Sequence, residues 1–110
     1  MIAVRGAESK KANDIRVLDL RGVTSFADFF VICSGSNTRQ NQAIADEIEK
    51  ELTTAGEKVQ SSEGYTHAEW ILMDYGDMVV HVMSPATREY YDLERLWRQA
   101  KVVEIPPPAA

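Results

Sequence analysis

Gly35-Ser36 lies where a strand-like run gives way to a helix-like one, and that placement is the chain's best opening for chemistry. Backbone N–H groups at a helix N-terminus bind phosphate oxygens, so the pair would suit phosphoryl or nucleotidyl transfer. Such transfer also needs closely spaced carboxylates on a neighbouring strand to hold a divalent metal. The chain does not supply them. Asp74 and Asp77 flank a turn, Asp19 stands alone, Asp28 precedes a strand, and no Asp-x-Asp occurs. His67 and His81, with Glu69 and Asp74, lack any metal-ligand spacing. Ser34, Ser36 and Ser84 lack a nucleophile context such as G-x-S-x-G. Cys33, the single cysteine, sits in an apolar run with no base beside it, which reads as a structural thiol. No catalytic residue and no metal ligand is therefore expected. A simple helix start is the bland reading of Gly35-Ser36.

The elements around these residues follow from periodicity. Residues 1–12 suit either a short helical turn or a frayed arm. Residues 14–20 are rich in β-branched and aliphatic side chains and read as a strand. Phe29-Phe30-Val31-Ile32-Cys33-Ser34 is nearly all apolar, the mark of a central strand buried on both faces. Ser36, Asn37 and Thr38 offer cap chemistry for a helix over residues 38–55, with Ile44, Ile48 and Leu52 on its dry side and Gly56 as its stop. Residues 58–62 read as a short edge strand. Ser84-Pro85 opens a last helix, in which Tyr90, Leu93 and Trp97 form one buried stripe and Tyr91 lies at its margin. The Pro-rich end, residues 101–110, reads as a flexible tail after a single domain of residues 1–100. The sum is an α/β (α+β) domain: a mixed sheet of about five strands covered by helices.

Bulk properties narrow the classes of function. The 110 residues suit one domain and one modest core, leaving little room for a deep internal active site. A net charge of −5 excludes a broad basic footprint for nucleic acid. A lone cysteine fits a reducing compartment, the absence of a membrane-length apolar run argues against a membrane protein, and the N-terminus lacks a signal peptide's apolar segment. A cytoplasmic location is expected.

Residues 68–84 form the most informative stretch. They read as a hairpin, turning at Tyr75-Gly76 or through a loop from Asp74 to Asp77. Either choice pairs Met73 with Met78 and Trp70 with His81. One face then carries Ile71, Met73, Met78, Val80 and Val82, purely apolar and assigned to the core. The other carries Trp70, Leu72, Val79, His81 and Met83, with Asp74 near the turn. Aromatics, methionine and a few polar groups are what interfaces favour, so this second face is either a docking surface or a second covered core face.

As a set, several ordered blocks resemble the ribosomal silencing factor S (Iojap) family. They are Asp28-Phe29-Phe30-Val31-Ile32-Cys33-Ser34-Gly35-Ser36, Ile44-Ala45-Asp46, Gly64, the run from Ala68 to Asp77, Val80-His81-Val82-Met83 and the run from Arg88 to Trp97. The resemblance implies a fold similar to nucleotidyltransferases without their catalytic carboxylates. It implies a non-enzymatic translation repressor with no cofactor. Such proteins bind ribosomal protein L fourteen on the large ribosomal subunit and block joining of the small subunit, with no direct nucleic-acid contact required and no membrane. Self-association as a homodimer is a further implication. By position, the partner-binding residues would be Trp70, Met83 and Tyr91, with Leu72, Asp74 and His81 as neighbours. The rival reading from the residues alone is a nucleotidyltransferase-like nucleotide-binding protein or enzyme built on Gly35-Ser36.

Overall fold

Alternation along the central strand sets the architecture. In the computed structural model, which describes residues 1–106, β1 (Asn13–Asp19) and β2 (Phe29–Ser34) pair antiparallel. Phe29, Val31 and Cys33 pack into one apolar cluster, Phe30 and Ile32 into another on the opposite face. Both faces of the sheet are therefore covered, as the unbroken apolar run requires.

The first cluster lies under α1 (Ile2–Ser9) and α2 (Thr38–Thr54). Residues 1–12 thus resolve as a packed helix, with Ala3, Val4 and Ala7 buried. It holds because Gly6 leaves no room for a side chain: a Cβ there would meet the backbone of Ile48 at 3.2 Å. On α2, Ile44, Ile48 and Leu52 face the sheet at the expected helical spacing. Asn37 caps it, its Oδ1 accepting from the Gln40 N–H at 2.8 Å, and the Gln40 Oε1 accepts in return from the Ser36 N–H. Gly56, at φ +91, lets the chain turn away.

The edge strand β3 (Ser61–Glu63) pairs with β4 (Trp70–Asp74), and β4 with β5 (Met78–Met83), which runs parallel to β2. The edge strand begins three residues later than expected. The hairpin turn also differs. Gly76 and Asp77 make it, closed by the Tyr75 N–H donating to the Met78 carbonyl at 2.8 Å. Gly76 supplies a positive φ of 91 and the Asp74 carboxylate accepts from the Gly76 N–H at 2.7 Å. The turn sits one residue further along than Tyr75-Gly76, so Trp70 opposes Met83 and Leu72 opposes His81. Each partner moves by two, an even number, so every side chain keeps the face assigned to it.

The second cluster is covered by the loop before β2 and by the segment from α4 (Leu93–Leu96) to Ala100, which follows α3 (Pro85–Tyr91). A single last helix was expected. Asp92 instead adopts a left-handed conformation, φ 48 and ψ 59, and divides it. The phase changes at the break. Tyr90, expected in the buried stripe, is 81% exposed, while Leu93 is buried.

Residues 101–103, expected to begin the flexible tail, form β6 (Lys101–Val103) on the outer edge of β1. Val103 and Ile105 pack against the first cluster, which is why the chain continues in order past residue 100. Residues 107–110 of that expected tail lie outside the described residues. The sheet is therefore six-stranded and mixed, in the order β3-β4-β5-β2-β1-β6.

Candidate docking surface

Trp70 opens β4 on the face that looks toward α3. A turn just upstream fixes its backbone. Gly64 has φ +83, and a Cβ added there would collide with the Trp70 carbonyl oxygen, so only glycine permits this approach. The Gly64 carbonyl accepts from the Ala68 N–H at 2.9 Å, closing the turn. The half-buried indole then lies against Tyr91, ring centroids 4.8 Å apart, and Tyr91 meets Tyr90 edge-on at 4.9 Å.

Two devices place Tyr91. Ser84 caps α3 by accepting from the Thr87 N–H at 3.2 Å, with Pro85 in the first turn. Across the Asp92 break, the Arg88 guanidinium donates to both Glu94 oxygens at 3.2 and 3.4 Å and to the Ser34 hydroxyl at 3.3 Å. Arg88 is largely buried, so this link joins α3, α4 and the end of β2 in one rigid corner.

The six residues expected to bind a partner all lie on or beside one sheet face, but not at one depth. Trp70, Leu72 and Asp74 follow one another along β4 and are half-buried; Tyr91 is 52% exposed. His81 and Met83, at 3% and 0% exposure, lie beneath the surface of this face. They are buried because Trp70, Phe30 and α4 close over the middle of the face. Of the two readings of this face, covered core holds at its centre and exposed surface at its rim. Asp74 has its carboxylate engaged in the turn.

His81 stacks edge-on against Phe30 at 4.6 Å and accepts at Nδ1 from the Trp70 indole N–H at 3.1 Å. Burial lowers its pKa to about 4, because a charged ring would lose its hydration without gaining a partner. Cys33 is likewise pushed up to about 12 by burial, which leaves an inert thiol.

Phe26, Tyr90 and Leu96 extend the exposed apolar surface, at 77%, 81% and 69%. Phe26 meets the half-buried Trp97 edge-on at 6.5 Å. An open groove of about 690 Å³ runs over the α3–α4 corner, lined by Tyr90, Tyr91, Leu96 and Trp97 with Arg95 and Arg98. Sequence reasoning misses Phe26. The available signal was an aromatic residue inside an otherwise polar turn.

The helix start at Gly35-Ser36 is already satisfied from within. Asn41, itself buried, accepts from the Gly35 N–H through Oδ1 at 2.8 Å and donates through Nδ2 to the Ala68 carbonyl at 2.8 Å. Gln40 takes the Ser36 N–H. A phosphate would have to displace both side chains. Among the described residues, no three His, Cys, Asp or Glu side chains gather to hold a metal.

Fold and surface define a small three-layer α+β domain whose open chemistry is aromatic contact. The family model for "Ribosomal silencing factor during starvation" matches residues 1–110. A ribosomal silencing factor of Halalkalibacterium halodurans is 43% identical over 104 residues, covering 94% of this chain and 89% of that one. A Chromobacterium violaceum crystal structure superposes with a TM-score of 0.86 at 38% identity, covering 99% of this chain and 88% of that one. A mouse protein named for mitochondrial assembly of the ribosomal large subunit is 36% identical over 91 residues, 80% of this chain and 40% of its own length. The chain belongs to the ribosomal silencing factor family, whose name is that of a regulatory factor and not of an enzyme.

Proposed function

We propose that this protein represses translation in the cytoplasm by occupying the large ribosomal subunit through ribosomal protein L fourteen and preventing the small subunit from joining. The docking surface is the Trp70–Tyr91 face, with Leu72 and Asp74 along its rim and His81 and Met83 as its support. No bond is made or broken. An aromatic patch docks, and the bulk of the domain stands where the other subunit would sit.

The observation that carries this reading is the half-exposed Trp70 indole packed on Tyr91 beside an open aromatic groove. Tryptophan and tyrosine dominate interface energetics because they bury a large rigid area at little entropic cost. The names of the relatives, silencing factors and a large-subunit assembly protein, supply the partner class. The net charge of −5 favours a basic partner. Self-association as a homodimer would use the same kind of exposed apolar surface.

A sucrose gradient with purified subunits tests the proposal. The protein should travel with the large subunit and reduce the particle formed with the small one. Trp70→Ala should weaken binding by about 2 kcal/mol, roughly thirtyfold. Unchanged co-sedimentation by a folded Trp70→Ala variant would show that the surface is assigned wrongly.

A further inference from the structure

We infer that His81 is the positioning residue of the docking face: its neutral imidazole holds the Trp70 indole in the attitude offered to a partner. The inference rests on the docking role proposed above for Trp70.

Tryptophan has one hydrogen-bonding atom, and it can only donate. In Trp70 it donates to the His81 Nδ1 at 3.1 Å. This bond, with Tyr91 against the ring at 4.8 Å, fixes how the indole stands on the surface. An imidazole that accepts at Nδ1 carries its proton on Nε2. That Nε2 is buried and has no hydrogen-bond partner among the described residues. Leaving a buried donor unmet is unfavourable, and a leucine would fill the space without it. Packing alone therefore does not account for a histidine here. The acceptor atom does.

The ring is held rigidly enough to act as a platform. From β4 it faces Trp70 and Leu72, and from β2 it faces Phe30 and Ile32. None of these side chains carries a charge; Tyr91 of α3 packs against the Trp70 ring, and Leu93, which opens α4, adds an apolar side chain to the same cluster. Protonation would place an N–H at Nδ1 against the indole N–H, donor against donor, and the bond would break. Burial keeps the ring neutral down to about pH 4, so the bond persists at any ordinary cellular pH.

His81→Leu, His81→Gln, Trp70→Phe and the Trp70→Phe, His81→Leu pair test this with two readouts. One is the Trp70 indole N–H resonance, assigned by its loss in Trp70→Phe. The other is co-sedimentation with purified large ribosomal subunits. His81→Leu should move the indole resonance toward that of an unbonded indole and weaken subunit binding by about tenfold, roughly what one buried hydrogen bond supplies. His81→Gln, which can still accept, should restore both. In the Trp70→Phe background, His81→Leu should cost nothing further, because the bond is already gone. Independent, additive losses would overturn the proposal. So would a shifted resonance with unchanged affinity. Should His81→Leu fail to fold, Trp70→Phe alone decides: it keeps a ring and deletes the N–H, and unaltered binding counts against the inference. Full binding by Trp70→Ala sinks the docking role itself. Weakened Trp70→Ala beside unaffected His81→Leu sinks only the positioning role.

Discussion

At the scale of single residues, the buried polar groups distinguish this domain most sharply. Asn41 satisfies the Gly35 amide and the Ala68 carbonyl at once, tying the start of α2 to the strand that begins at Trp70. Asn41→Ala strands both groups in the interior. It should cost about 2–4 kcal/mol, read as a lowered denaturant midpoint. His81 gives a pH dependence whose sign is set. Its pKa is about 4 in the folded protein and 6.5 when unperturbed. Between those values the unfolded chain binds a proton that the folded one refuses, so stability falls as pH drops from 6.5 to 4. The loss totals about 3 kcal/mol. His81→Leu should flatten that slope in denaturant titrations run across the window. Asp19 acts lower on the scale. Hydrogen bonds from Arg21 bring its pKa to about 2, so its contribution is lost as pH falls below 3.8 and the two windows scarcely overlap.

At the scale of elements, the break at Asp92 has the largest effect. A continuous helix through residues 85–97 would bury Tyr90 with Leu93 and Trp97. The left-handed residue rotates α4 relative to α3, so Leu93 enters the core while Tyr90 and Tyr91 stay outside. The exposed aromatic surface is thus a product of one backbone conformation, held by Arg88 and Glu94 across it. Ser84 sets where α3 starts. Ser84→Ala should destabilise by about 1 kcal/mol and raise amide exchange in residues 85–91 before the sheet is affected. The hairpin teaches the complementary lesson. Its turn is displaced from the expected place, yet both faces keep their residues because the displacement changes the pairing by two.

Across the whole molecule, three layers share one six-stranded sheet, and its last strand comes from the far end of the chain. β6 covers the outer edge of β1, and Val103 and Ile105 add to the first core. A chain ending at Ala100 would leave that edge unpaired and those contacts unmade. It should melt several degrees below a chain ending at Pro106, for a loss of about 1–2 kcal/mol. Equal melting temperatures would restore residue 100 as the end of the domain. No helix among the described residues is long and apolar enough to cross a membrane.

The sequence by itself determined the local content: a central strand apolar on both sides, an amphipathic helix with its cap and stop, a hairpin with two distinct faces, and ordered blocks that resemble one family. These are set by short-range periodicity and by backbone chemistry at Asn37, Gly56 and Gly76, which neighbouring residues alone can specify. Depth was not among them. Trp70, Leu72, His81 and Met83 alternate identically along their strands, and only the elements that fold over them separate the half-exposed from the buried. The same holds for β6, which owes its order to a partner strand more than eighty residues away, and for Tyr90, exposed by a helix break that no spacing announces. Burial is a property of the assembled layers, so tertiary structure alone decided which aromatic side chains reach the surface and which, like His81, lie beneath it.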